Sequence, residues 1–258
     1  MIFHDLTYRQ IGAIDFEQTL VVIPTGATEQ HGPHLPTNTD TLIVSRLAER
    51  LERLLPDRLL LTPTMWLGHS PHHLSFGGTL SACHPVYIQM LHSICQSYIG
   101  MGAKKLWILN GHGGNGAPNQ IVLQQLKTEY PDTIAVAADY WNLAKDAIGE
   151  IRESPIGGMG HACELETSLY LYLDETKVHC DLIKDDGIQP SGEIWELDML
   201  QGSNAARIFG FDELTASGVF GQPTLATKDK GRRLFEAISE RLEQFAERLL
   251  QIEMRVPT

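Results

Sequence analysis

The apolar positions of the first half of the chain fall into strand-length runs that alternate with helix-length periods. Residues 19–24 are a short apolar run rich in β-branched side chains, which predicts a strand. A glycine-containing loop follows, and residues 41–55 then carry apolar side chains at helical spacing. The pair recurs: residues 59–62 predict a strand, and beyond a long loop residues 86–99 predict a helix whose first turn suits Pro85. A third round gives a strand at 106–110, a glycine-rich turn, a helix at 117–130 and a further strand at 133–138. Alternation of this kind predicts an α/β fold, a single three-layer α/β/α domain with a central, mainly parallel sheet. Residues 177–227 are broken by Gly and Pro without a clean period and predict loops with short strands at most. Residues 228–255 have the spacing of a long amphipathic helix, placed on the sheet or on a neighbouring subunit. With no repeat, low-complexity tract or linker, one domain over residues 1–258 is expected.

Composition narrows the function more than the fold. A chain of 258 residues with 43% hydrophobic and 20% charged residues can bury a sizeable core without staples. Its 20 basic and 32 acidic residues give a formal net charge of -12, which repels phosphate backbones and anionic membrane surfaces. Nucleic acid and membrane are therefore excluded as expected partners. Most of that acidity reads as a solvated surface rather than as cation ligands. Cys83, Cys95, Cys163 and Cys180 form no Cys-x-x-Cys pair, so reduced thiols are expected. No basic, apolar leader and no ~20-residue apolar window stands in the sequence, and a cytoplasmic protein is the expectation.

Three polar clusters sit where loops leave the predicted strands, the place where parallel sheets build their sites. The first is Thr28-Glu29-Gln30-His31-Gly32-Pro33-His34-Leu35-Pro36, continuing to Asp40. Glu29 and His31 are one residue apart, so an extended segment projects both to one side, and Asp40 returns to them at the start of the next helix. A carboxylate can bridge two cations while imidazoles and further carboxylates complete sites suited to zinc, manganese or iron. Asp40 alone would read as a helix N-cap and His34 as a hydrogen-bonded loop histidine; the company of Glu29 and His31 turns Asp40 into the expected bridge.

The second cluster is Asn110-Gly111-His112-Gly113-Gly114-Asn115-Gly116. It lacks the endings of nucleotide-binding loops, so its glycines predict close backbone approach to a metal or substrate, with His112 as a ligand. The third, Gly160-His161-Ala162-Cys163-Glu164-Leu165-Glu166-Thr167-Ser168, opens an apolar helix. His161 and Glu164 at a spacing of three would share a helical face, and His161 could meet Glu166 around the first turn, against the plainer reading of acidic residues capping a helix. Cys163 is an alternative nucleophile, although a small buried thiol is the commoner use of cysteine. His69, His72 and His73 lie in a long loop, where they could line the pocket or stand at the surface, and receive no ligand role.

In order and spacing, the three clusters together resemble the creatininase family of creatinine amidohydrolases across residues 1–175. The resemblance implies an α/β domain, a homohexamer and two divalent ions per subunit, Zn, Mn or Fe, with Glu29, His31, Asp40 and His112 as ligands and Asp40 bridging. Where creatininase has a further glutamate ligand, this chain has Gly114, and Glu164 is the expected replacement. The resemblance also makes His161 and Glu166 catalytic residues of a proton relay and places Trp141, Gly113 and Gly114 against the substrate. The implied reaction is hydrolysis of a C–N bond in a small cyclic amide or formamide by water activated between the ions. The rivals are a non-catalytic metal-binding protein of the same fold and an amidase that uses Cys163.

Overall fold

The computed structural model describes residues 1–187, 197–201 and 205–253. A short helix, α1 (Tyr8–Ile11), precedes β1 (Leu20–Thr25), α2 (Thr39–Leu54), β2 (Leu59–Leu61), α3 (His84–Gly100), β3 (Lys105–Asn110), α4 (Gly116–Glu129) and β4 (Ile134–Asp139). Two short helices, α5 (Tyr140–Leu143) and α6 (Lys145–Ile151), lead to β5 (Met159–His161) and α7 (Glu164–Asp174). Beyond them lie α8 (Phe211–Leu214), β6 (Phe220–Gly221) and α9 (Lys228–Gln251). The expected strands and helices of the first half are present within two residues of their predicted ends.

The four strands form one parallel sheet in the order β2-β1-β3-β4. Successive residues of each strand point to opposite faces, and both faces are buried in β1, β2 and β3 and half-buried in β4. Leu20 and Val22 of β1, with Leu59, Leu61, Trp107 and Leu109, join a core formed with α2, α7 and α9. Val21 and Ile23, with Leu60, Leu106 and Ile108, join Tyr87, Leu91 and Cys95 of α3 and Val122 and Leu126 of α4. Two-sided burial explains why these strands read as unbroken apolar runs. Each fully buried leucine or isoleucine contributes roughly 1.5–3 kcal/mol, which fixes the register along the sheet.

That register sets up the site. Thr25, Asn110 and Asp139 end three adjacent strands side by side. Thr25 Oγ1 donates to Asn110 Oδ1 at 3.0 Å, and Asn110 Nδ2 donates to Asp139 Oδ1 and to the His112 carbonyl, each at 2.7 Å. The glycine-rich loop after β3 is thereby tied to the sheet edge.

Helix α9 starts at the N-cap Thr227, whose hydroxyl accepts from Lys230 N at 3.1 Å. It buries Leu234, Ile238, Leu242, Ala246 and Leu249 in the first core, so its apolar stripe is covered by its own chain rather than by a neighbouring subunit. It ends at Gln251, with Ile252 and Glu253 beyond it; Arg255, the expected end, lies outside the described residues. Within 177–227 the described parts are loops, short helical turns and the two-residue strand β6, paired antiparallel with β5.

Candidate metal centre

Five segments converge above the carboxyl ends of β1 and β3. Glu29 and His31 come from the loop after β1, Asp40 from the first turn of α2, His112 from the loop after β3, His161 from the end of β5 and Glu166 from the first turn of α7. All six are buried. Asp40 stands between two histidines, with Oδ1 3.1 Å from His31 Nε2 and Oδ2 3.0 Å from His112 Nδ1. Glu29 Oε1 lies 3.3 Å from His112 Nδ1 and 3.7 Å from His161 Nδ1, while Glu166 Oε1 lies 3.9 Å from His31 Nε2. Donor atoms of His31, Asp40 and Glu166 fall within 4.8 Å of one another, as do those of Glu29, His31 and His161.

Neighbouring groups fix which nitrogen of each imidazole faces inward. His112 Nε2 is turned to the His69 carbonyl at 3.2 Å and to Ser70 Oγ at 3.1 Å, which leaves Nδ1 toward the carboxylates. His31 Nδ1 donates to the Glu29 carbonyl at 3.2 Å, leaving Nε2 toward Asp40. His161 Nε2 donates to the Gln30 carbonyl at 2.7 Å, so its Nδ1 faces the centre with a free lone pair. Gln30 itself is oriented by Gly32 N, which donates to its Oε1, and by the Gly218 carbonyl, which accepts from its Nε2. Its amide therefore donates to His73 Nδ1 at 2.8 Å and sends the His73 Nε2 proton to Glu29 Oε1 at 3.3 Å.

The electrostatics call for a cation. Glu29 Oε2 and Glu166 Oε2 are buried and accept no hydrogen bond, Asp40 meets only the two imidazoles, and among the described residues no Lys or Arg lines the cavity they face. Burial raises the Glu29 carboxyl and Asp40 adds to the rise. Burial acts on Asp40 in the same direction, but His31 and His112 override it and hold Asp40 below the usual carboxylate range. Burial would make His31 and His112 less basic; Asp40 and Glu166 raise His31 well above its ordinary value, and Glu29 and Asp40 bring His112 to about 10. Buried carboxylates with orphaned oxygens, interleaved with inward-facing imidazole nitrogens, are a donor set that fits borderline divalent ions. The residues present therefore fit such an ion.

The family model of creatininase, described as creatinine amidohydrolase, matches residues 4–246 of the chain. The chain belongs to the creatininase family. As a creatininase-family protein it is an enzyme of the hydrolase class, and its structure holds groups of side chains that could bind a metal ion. It is 32% identical to a mycofactocin precursor peptide peptidase of Mycobacterium ulcerans over 83% of this chain and 79% of that one. It is 27% identical to the 3-dehydro-scyllo-inosose hydrolase of Thermotoga maritima over 96% and 83% of the two chains. A crystal structure of a proposed creatinine amidohydrolase from Bacteroides fragilis superposes with a TM-score of 0.81 and 26% identity, covering 99% of this chain and 98% of that one. Solved creatininases of this fold include a manganese form and a Zn–Zn type.

Two sequence expectations need correction. Glu164 does not replace the missing carboxylate. One of its oxygens is paired with Lys230 Nζ, and its carboxylate accepts from the backbone N–H groups of Glu153 and Ser154 at 2.8–3.2 Å, which ties it to the start of α9. Helical spacing was the wrong guide, because His161 belongs to β5 and α7 begins only at Glu164. Between them Ala162 takes a left-handed conformation, φ 50°, which turns the chain so that His161 and Glu166 both face the cavity. Glu166, expected in a proton relay with His161, instead stands among the candidate ligands beside His31 and Asp40.

The cavity, about 230 Å³, is lined by the expected Trp141, Gly113 and Gly114, joined by Met199 and Phe211. A side chain at Gly114 has no room: a Cβ there would lie 2.2 Å from the His69 carbonyl oxygen and 2.5 Å from His112 Nε2. His34 is not at the centre; its Nε2 meets Thr167 Oγ1 at 2.9 Å. Cys163 is buried against α7, and burial with Glu166 nearby pushes its thiol far above the ordinary value, which leaves no thiolate for a nucleophile. Sequence reasoning missed Phe211; His72 and His73, expected in the pocket wall or at the surface, line the cavity. The Phe211 ring lies 3.9 Å from that of His73 and 4.8 Å from that of His161. Three histidines within five positions of one loop were the available signal for His72 and His73.

Proposed function

We propose that this chain is a metal-dependent amidohydrolase that opens a C–N bond of a small, uncharged cyclic amide or formamide. Two divalent ions would be held by Glu29, Asp40 and His112 on one side and by His31, Asp40 and Glu166 on the other. The observation that carries this reading is the cluster of three buried carboxylates, Glu29, Asp40 and Glu166, whose oxygens face only imidazole nitrogens or no hydrogen-bond donor at all. When bound, such ions supply a water acidic enough to act at neutral pH and a positive field for the carbonyl oxygen.

The chain's own residues do the rest. His161 Nε2 donates to the Gln30 carbonyl, so its inward Nδ1 keeps the lone pair that can accept a proton, and the lowered pKa that burial and the neighbouring His31 and His73 give the ring favours release of that proton. From there it returns that proton to the departing nitrogen as water adds to the carbonyl carbon and the C–N bond breaks. Trp141, Met199 and Phe211 give the cavity apolar walls, and the open backbone at Gly113 lets a small substrate reach the centre. The small volume favours a small molecule over an extended chain, and the lack of a lining Lys or Arg among the described residues favours a substrate without an anionic group.

The test is elemental analysis of protein purified without chelator, followed by a hydrolysis screen over creatinine, formamides and cyclic amides. About two divalent ions per chain, with turnover lost on chelation and restored by metal, is the expected result. A chain that takes up no metal when it is supplied would end this reading.

A further inference from the structure

We infer that His72 is an additional protein ligand on the Glu29 and His112 side of this centre, seated over Gly114. The inference rests on the dinuclear reading above and adds a residue to it. His72 lies in the turn Pro71–His73, directly before the histidine that braces Glu29. A ring nitrogen of His72, a carboxylate oxygen of Glu29 and a ring nitrogen of His112 all lie within 4.8 Å of one another.

Three observations separate His72 from a bystander. Glu29 Oε2 is buried with no hydrogen-bond partner, while Oε1 is already faced by His73 and His112, so this carboxylate keeps one oxygen open to a cation. Among the described residues neither ring nitrogen of His72 has a hydrogen-bond partner, whereas both nitrogens of His73 and of His112 are engaged. The His72 ring is also held in place: it stacks on His112 with centroids 5.8 Å apart and planes 9° apart, and it tilts against His73 at 4.4 Å.

Gly114 explains why the ring can stand there. A Cβ at that position would lie 2.8 Å from His72 Cε1, closer than real Cβ contacts come. Only glycine leaves the space that the imidazole fills. The loop after β3 supplies no carboxylate at this position, and the loop after β2 supplies a nitrogen in its stead.

The test compares wild type, H72A and H72F, the last keeping a ring while removing the donor, with D40N as the control for the centre itself. Each protein is loaded with Zn²⁺, dialysed against increasing chelator and assayed for retained ion, and the Co²⁺-loaded forms are compared by visible absorption. The expected result is that H72A and H72F, melting as cooperatively as wild type, release one ion at chelator concentrations roughly 10–100-fold lower and shift the Co²⁺ bands. Unchanged retention and unchanged bands in folded H72F would overturn the role of His72 while leaving the centre standing. Retention of both ions by D40N would instead overturn the shared-carboxylate centre, and the His72 assignment with it.

Discussion

Residue by residue, the site is a problem of orientation. Six side chains that can all bind protons or metals become distinct because each is held by a different neighbour. His161 and His31 illustrate this: one spends Nε2 on a backbone carbonyl and turns Nδ1 inward, and the other does the reverse. Their rings lie 4.2 Å apart, yet burial and neighbouring histidines make His161 less basic while two carboxylates make His31 more basic. His161→Ala should therefore lower kcat by roughly 10²–10⁴ while leaving ion content near wild type, measured by turnover and elemental analysis on the same preparation. Parallel loss of ion would make His161 a ligand rather than the proton acceptor. At this scale the sequence proposed Glu29, His31, Asp40 and His112 as candidate ligands, and their side chains lie side by side, three of them in loops that leave strands and Asp40 in the first turn of α2. It misassigned Glu164, because a carboxylate's partner across 66 residues of chain, Lys230, leaves no trace in local spacing.

Among the elements, the junction of α7 with α9 positions the site from behind. Lys230 and Glu164 are both buried, and Lys230 Nζ also lies 2.6 Å from the Leu225 carbonyl and 3.2 Å from Glu153. This pair locks the first turn of the helix that carries Glu166. Lys230→Met leaves an uncompensated buried carboxylate and should destabilise by about 3–5 kcal/mol, read from urea denaturation near neutral pH. Burial raises the Glu164 carboxyl, but Lys230 and the Ser154 contacts outweigh it and hold the group below its ordinary 4.5. A depressed carboxyl contributes stability that is fully present above the unfolded value and is lost as pH falls through the folded value. Wild-type stability should thus decline as pH drops below about 5, and the decline should flatten in Lys230→Met, in urea midpoints taken across that range.

For the whole molecule, the consequence of three buried carboxylates around one point is a fold that gains from cation binding. An ion that binds only the native state, at 1,000 times its dissociation constant, adds about 4 kcal/mol, on the order of 10 °C in Tm for a chain of this size. Thermal melts of chelated and metal-loaded protein should differ by that much, and identical melts would show that the carboxylates tolerate their own company.

The sequence by itself determined the sheet, its helices and the ends of strands at which chemistry gathers. Period-two and period-3.6 burial are properties of short stretches, and a strand buried on both faces can be read from its unbroken apolar run. Tertiary structure decided what those stretches do to one another: that Glu166 rather than Glu164 stands beside His31 and Asp40, that Ala162 turns the chain between β5 and α7, and that the loop after β2 brings His72 and His73 to the cavity. Each of these depends on distances between segments far apart in the chain, set by packing on two faces of the sheet and invisible to any local period.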